Sequence, residues 1–295
     1  MRSGNRRDSI LLLAALVAAM AGCAMKEGDP DPNEEPIVVD HESVALADIP
    51  SNWIDQAKQT LHIAYGHTSH GSQLTTGMTG LVTFAGTAYS YNSGGTGGAL
   101  DLRDFYGDFG GLGVASDLGN PNRTAWASAT RTYLDQNPTV NVIVWSWCGQ
   151  VDGTEAEIQH YFDLMEELED DYPGVTFVYM TGHTDGTALT GNVPLRNKQI
   201  RDYCLANDKV LYDFADIESY DPDGDYFGDK LVNDACDYDS DGDGTRDSNW
   251  AIIWQNAHPG EWYSCESAHS QPLNANLKAY AAWHLWARLA GWDGN

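Results

Sequence analysis

Basic residues are scarce in this chain: 16 Lys and Arg stand against 43 Asp and Glu among 295 residues, a formal net charge of −27. A surface of that sign repels phosphate backbones and anionic headgroups, which argues against nucleic acid as a partner. No CxxC pair occurs, so a cysteine-built zinc site is not expected. Beyond the N-terminus no apolar run approaches the ~20 residues that span a bilayer. The glycine-rich stretch from Ser93 to Gly113 lacks the Lys-Ser/Thr of a phosphate-binding loop, and no repeat of solenoid period is evident.

The N-terminus is distinctive. Arg2, Arg6 and Arg7 precede an apolar core from Ile10 to Ala21, too short for a comfortable membrane span and suited to an export signal. Met20-Ala21-Gly22-Cys23 resembles the bacterial lipobox, which implies lipidation of Cys23. Ala24 is not the Asp that retains lipoproteins at the inner membrane, so a lipid anchor at the outer membrane or cell surface is expected. Residues 1–23 are thus read as signal, and 24–50, with Pro30, Pro32, Pro36 and eight acids, as a solvated linker. Four cysteines remain, Cys148, Cys204, Cys236 and Cys265; an even number in an exported chain points to disulfides, with three connectivities open.

From 51 to 295 a single domain is expected. Leu61–Tyr65, Val140–Trp147, Val175–Met180 and Val210–Phe214 read as buried strands. Between the second and third, Thr154 and Glu157 form a capping-box pattern, and Ile158, Tyr161, Phe162, Met165 and Leu168 recur at helical spacing until Pro173-Gly174. Further helices are expected around Gln73–Phe84, over Pro194–Leu205 and over Leu273–Leu289. Strands separated by helices pair in parallel through right-handed crossovers, which predicts a three-layer α/β/α sandwich.

An acidic insertion, about 220–250, interrupts this rhythm, with ten Asp between Asp221 and Asp247. Asp239, Asp241, Asp243 and Asp247, with Gly244 at the sixth position, follow a DxDxDGxxD spacing that converges oxygens on one cation. The register resembles the calcium loops of dockerins and thrombospondin type 3 repeats and implies structural calcium. Asp221, Asp223, Asp225 and Asp229 repeat the spacing without that Gly. Trp250 stands where a sensor EF-hand has its bidentate Glu. A solvated acidic loop is the other reading.

Chemistry is concentrated at two places. His67-Thr68-Ser69-His70-Gly71-Ser72 follows the first strand, where active sites of parallel sheets form and a helix start can stabilise an oxyanion. Glu266-Ser267-Ala268-His269 precedes the last helix, and a carboxylate three residues before a His can turn back to orient it. This order resembles the SGNH (GDSL-like) hydrolase superfamily, in a divergent HxSxG form with Glu in place of the DxxH Asp. The resemblance implies Ser69 as nucleophile, His269 as general base and Glu266 as its orienting acid. It also implies an oxyanion amide after the middle strand, where Gln150 stands instead of Asn, and a glycine donor from the Gly110–Gly119 loop. Cys148 and Cys265 would flank that site, which selects them as a disulfide pair.

The expected activity is an exported serine esterase acting on small or carbohydrate esters, with no cofactor in the chemistry itself. Trp250, Trp254 and Trp262 lie near the insertion; exposed aromatics could stack on sugar rings, although such residues are more often core or rim packing. Ser72 is the alternative nucleophile and His258 the alternative base. Two other readings stay open: a divalent-metal hydrolase using His67, His70, His183 and Asp185, and a calcium-stabilised binding lipoprotein without catalysis.

Overall fold

The computed structural model describes residues 36–295, so the signal, Cys23 and residues 24–35 of the expected linker lie outside the described residues. Seven parallel strands form one sheet: β1 (Val38–Val39), β2 (His62–His67), β3 (Tyr91–Asn92), β4 (Leu100–Tyr106), β5 (Val142–Trp145), β6 (Thr176–Met180) and β7 (Val210–Tyr212). Their spatial order is β1-β7-β6-β5-β2-β4-β3. The helices are α1 (Ser51–Thr60), α2 (Ser72–Ala85), α3 (Ala125–Gln136), α4 (Glu155–Asp171), α5 (Asn192–Ala206), α6 (Phe214–Ile217), α7 (Trp250–Ala257) and α8 (Pro272–Leu289). The expected three-layer α/β/α sandwich is the observed architecture.

The central strands are apolar on both sides because both faces are covered. Ile63 and Tyr65 of β2, Val142 and Val144 of β5, and Val178 and Met180 of β6 join a core with α1, α2 and α8. Ala64, Ile143, Trp145, Phe177 and Tyr179 alternate onto the other face, against α3, α4 and α5. The capping box at α4 is present: Glu157 N–H donates to Thr154 Oγ1 at 3.2 Å, and Thr154 N–H to Glu157 Oε2 at 2.7 Å. From that start Ile158, Tyr161, Phe162, Met165 and Leu168 are buried in register.

The folded body begins before residue 51, which corrects the expected boundary. Ile37-Val38-Val39 supplies an edge strand, with Leu211 N–H donating to Ile37 O at 2.8 Å and Asp213 N–H to Val39 O at 2.7 Å. His41 Nδ1 then reaches Asp216 Oδ2 at 2.5 Å. The insertion after α6 carries a short antiparallel pair, β8 (Asp237–Tyr238) with β9 (Ser248–Asn249). Among the described residues no helix is long and apolar enough to cross a membrane.

Strand order sets where a cleft can open. After β2 the chain builds β3 and β4 on one side, then returns to place β5 on the other. The loops leaving β2 and β5 therefore diverge at their C-terminal ends, the switch point at which open parallel sheets form their binding crevice.

Candidate active site

Five chain segments meet at that crevice. The turn after β2 carries Ser69 and His70, and the loop after β5 carries Cys148. The loop after β6 carries His183. The insertion and the segment before α8 bring Asp234 and His269. The close turn after β2 depends on Gly71: a Cβ there would collide with Ser146 Oγ and lie 2.5 Å from His67 Cβ. Tyr65 OH donates to Gly71 O at 2.9 Å from beneath.

His269 Nε2 lies 3.0 Å from Ser69 Oγ. The segment bearing His269 is tied to α2: Gln73 Nε2 donates to Ala268 O at 2.5 Å, and Thr76 Oγ1 to Glu266 O at 2.7 Å. His269 itself has φ +64°, a left-handed conformation that costs a non-glycine residue free energy and is concentrated at functional turns. Ser69, His70 and Gly71 precede α2, and among the described residues their N–H groups donate to no protein acceptor. Ser72 Oγ donates back to Ser69 O at 2.6 Å and is a local cap rather than a nucleophile. His258 is engaged elsewhere: its ring stacks on Trp254 and its Nδ1 meets Trp254 O at 3.0 Å.

The other sequence assignments are redistributed. Glu266 is exposed, and its carboxylate makes no hydrogen bond to His269 among the described residues; the turn engages its backbone carbonyl instead. Asp234 is the acid whose field reaches His269. Gln150 packs on Gly119, and Arg123 donates to its backbone oxygen; its side-chain oxygen is buried without a partner and makes no bond to Ser69. The Gly110–Gly119 loop does approach the β2 turn, with Thr68 Oγ1 donating to Asp117 Oδ2 at 2.7 Å. Trp250 and Trp254 are buried, so they offer no platform to a sugar ring.

The disulfide between Cys148 and Cys265 is absent, and Cys204 and Cys236 are also free thiols. Cys148 Sγ turns into the cleft, 3.3 Å from His70 Nδ1 and 3.6 Å from Ser69 Oγ. Cys265 instead faces α8, accepting from Asn276 Nδ2 at 3.4 Å. The other ring nitrogen of His70, Nε2, lies 3.0 Å from Asp234 Oδ2. Burial opposes a charge on His70, but Asp234 and Cys148 outweigh it and raise its pKa to about 9. His70, foremost, lowers the Cys148 thiol to about 7 against the effect of burial. Desolvation works against the Asp234 charge too, yet His70, His183 and His269 hold that carboxyl below its usual range.

Of the expected metal set, His70 and His183 come together, with ring centroids 3.9 Å apart and nearly parallel. His67 does not join them, because it closes on Asp104 at 2.5 Å; Asp185 is taken up by Thr187. His70, His183 and Asp234 each offer an atom within 4.8 Å of the others. Since both nitrogens of His70 are already engaged, a cation would have to displace the Cys148 or Asp234 contact.

In the insertion, one oxygen each from Asp239, Asp241 and Asp243 lies within 4.8 Å of the others. Gly244 and Gly242 N–H groups donate to Asp239 at 2.8 and 2.7 Å and keep its carboxyl below the usual range. Asp247 is occupied differently, by Ser240 N and Oγ. Asp221 Oδ1 accepts from the N–H groups of Asp223 and Asp225, while Asp223 Oδ2 accepts from Trp254 Nε1 at 3.0 Å. Asp229 is exposed. The first loop is a self-bonded turn rather than a converging set, and the second fits a hard cation through three of its four expected acids.

Comparison with protein-family models, with curated proteins and with solved structures returns no match.

Proposed function

We propose that the protein is an exported ester hydrolase of SGNH type, with Ser69 as nucleophile and His269 as general base. The observation that carries the reading is the 3.0 Å contact between His269 Nε2 and Ser69 Oγ, made across nearly the whole domain at the sheet's switch point. A hydroxyl in hydrogen-bond contact with an imidazole is the minimal unit for acyl transfer.

Ser69 Oγ attacks the ester carbonyl while His269 takes its proton. Free N–H groups before α2, and the positive end of that helix, favour the oxyanion. His269 then returns the proton to the leaving alcohol. Water attacks the acyl-Ser69 ester with His269 again as base, and the acid product departs. Asp234, whose carboxyl lies within the field of His269, is the acid beside this pair in the place expected for Glu266. Carbohydrate or other small esters are the substrate class, on fold analogy and on an envelope location with a lipid at Cys23.

The insertion supports a structural calcium held by Asp239, Asp241 and Asp243. These are hard carboxylate donors, none with a basic side-chain partner among the described residues, and calcium would neutralise their mutual repulsion.

A fluorophosphonate probe tests the nucleophile. It should label the wild-type protein and spare Ser69→Ala; equal labelling of both proteins would remove Ser69 from the role.

A further inference from the structure

Cys148 brings a thiol to the switch point beside Ser69. Ser69 leaves β2 and Cys148 leaves β5, the two strands that flank the crevice, so thiol and hydroxyl face each other at 3.6 Å. Behind the thiol stands an ordered relay: Cys148 Sγ to His70 Nδ1 at 3.3 Å, and His70 Nε2 to Asp234 Oδ2 at 3.0 Å. His70 is buried and Asp234 half-buried, while Cys148 is partly open to the cleft. Nucleophile, base and orienting acid are thus in line, an arrangement recognised by its geometry and not by chain order. Among the described residues the Ser69–His269 pair has no such acid bonded to its histidine.

We infer that Cys148, His70 and Asp234 form a second acyl-accepting relay in the same cleft, in which the Cys148 thiolate takes an acyl group from an ester as a thioester. The ester substrate class rests on the acyl-transfer reading above; the reactivity of the thiol does not. Cys148 Sγ adds to the carbonyl carbon and forms the C–S bond. As the ester C–O bond breaks, the leaving oxygen takes the proton from His70 Nδ1. The nearest acceptor for the acyl group is Ser69 Oγ, whose proton passes to His269 Nε2 as the new C–O bond forms and C–S breaks. Water is the other acceptor, giving its proton to His70 and releasing the thiolate.

The remaining cysteines are internal controls. Burial raises the thiols of Cys204, Cys236 and Cys265, the last two to about 12 and about 11, against about 7 for Cys148. The groups around Cys148 are His70, Ser69 and Thr68 from the β2 turn. Those around His70 are Asp234, Glu218, His183 and His269. Lowering a thiol's pKa raises its thiolate fraction at neutral pH, and thiolate is the reactive form.

The experiment has two arms, both on the intact folded protein. In the first, iodoacetamide alkylation is followed by peptide mass spectrometry from pH 5.5 to 9. Cys148 should react ahead of the other three, with a midpoint near pH 7, and Asp234→Asn should slow it about tenfold at neutral pH. A midpoint near the ~8.5 of an ordinary thiol, or alkylation seen only after EDTA, would overturn the relay. In the second, Ser69→Ala is treated with p-nitrophenyl acetate. An acetyl group on Cys148 that hydroxylamine removes is the expected product, and its absence overturns the acyl-accepting role. Fluorophosphonate labelling of Ser69 without acetyl on Cys148 leaves the serine reading intact and this one refuted. Acetyl on Cys148 with no labelling of Ser69 does the reverse.

Discussion

Glu218 and the Asp239–Asp243 cluster belong to the same acid-rich stretch of chain, but their charges are accommodated in opposite ways. Glu218 is wholly buried and faces an equally buried Lys278, Oε1 to Nζ at 2.5 Å. Its other oxygen accepts from Thr184 N at 2.8 Å and Thr184 Oγ1 at 3.2 Å. Lys278 also donates to Gln73 and lies 3.6 Å over the Phe214 ring. One ion pair thereby joins α8, α2 and the loop bearing His183, directly beneath the cleft. The Asp cluster sits at the outer rim of the insertion, with Asp241 and Asp243 exposed, and is held by N–H groups of its own loop. A buried pair of this kind adds little net stability over apolar packing, but it penalises every arrangement in which the three elements are misplaced. The rim cluster has no such role, and its fate depends on an ion from solution.

The largest effect expected from this contrast is on Glu218. Glu218→Gln leaves Lys278 buried without its counter-charge, and removing one member of such a pair costs about 3–5 kcal/mol. Lys278 already has its pKa lowered, chiefly by burial, with Glu218 opposing that shift. Urea unfolding should show the loss, and Glu218→Gln combined with Lys278→Met should recover much of it. A single-variant cost under about 1 kcal/mol, typical of exposed pairs, would erase the distinction between the two regions.

The next effect separates two acids near His269. Asp234→Asn removes the negative charge bonded to His70 and felt by His269, whereas Glu266→Gln alters an exposed side chain that has no bonded partner among the described residues. Steady-state ester hydrolysis should fall about 10–100-fold in kcat/KM for Asp234→Asn, equivalent to ~1.4–2.7 kcal/mol of transition-state stabilisation. Glu266→Gln should stay close to wild type. The reverse order would return the orienting role to Glu266.

Why Asp234 was not legible in the sequence is instructive. It is one of ten Asp between Asp221 and Asp247, and nothing in its spacing distinguishes it; only the path of the insertion across the β6 loop brings it to His70. Ser69 and His269 were readable because position along an α/β chain fixes which end of the sheet a residue occupies. The α4 pattern and the β2, β5 and β6 runs were readable because burial on both faces leaves a continuous apolar record. β4 escaped notice because Leu100–Tyr106 carries Asp101, Arg103 and Asp104 within a glycine-rich stretch. β1 escaped because two paired residues following a proline-rich segment leave little pattern. Cys148 carried a usable signal: it follows a buried strand just as Ser69 does. The even cysteine count pointed instead to disulfides, which require two thiols to face each other, and Cys148 and Cys265 point into different surroundings.

The smallest effect tests the rim. If calcium occupies the Asp239, Asp241 and Asp243 cluster, EDTA should lower Tm by about 2–4 °C, the shift that ~1 kcal/mol makes in a chain of this size. Added calcium should restore it. Asp241→Asn with Asp243→Asn should abolish the calcium-dependent difference, because Asp239 alone, already bonded by Gly242 and Gly244, cannot close a site. The pairing of Glu218 with Lys278 lies away from the rim loop, so the urea cost of Glu218→Gln should be the same with and without EDTA. A calcium effect that disappeared in Glu218→Gln would mean that the rim loop and the buried pair act as one structural unit, and the contrast between them would have to be abandoned.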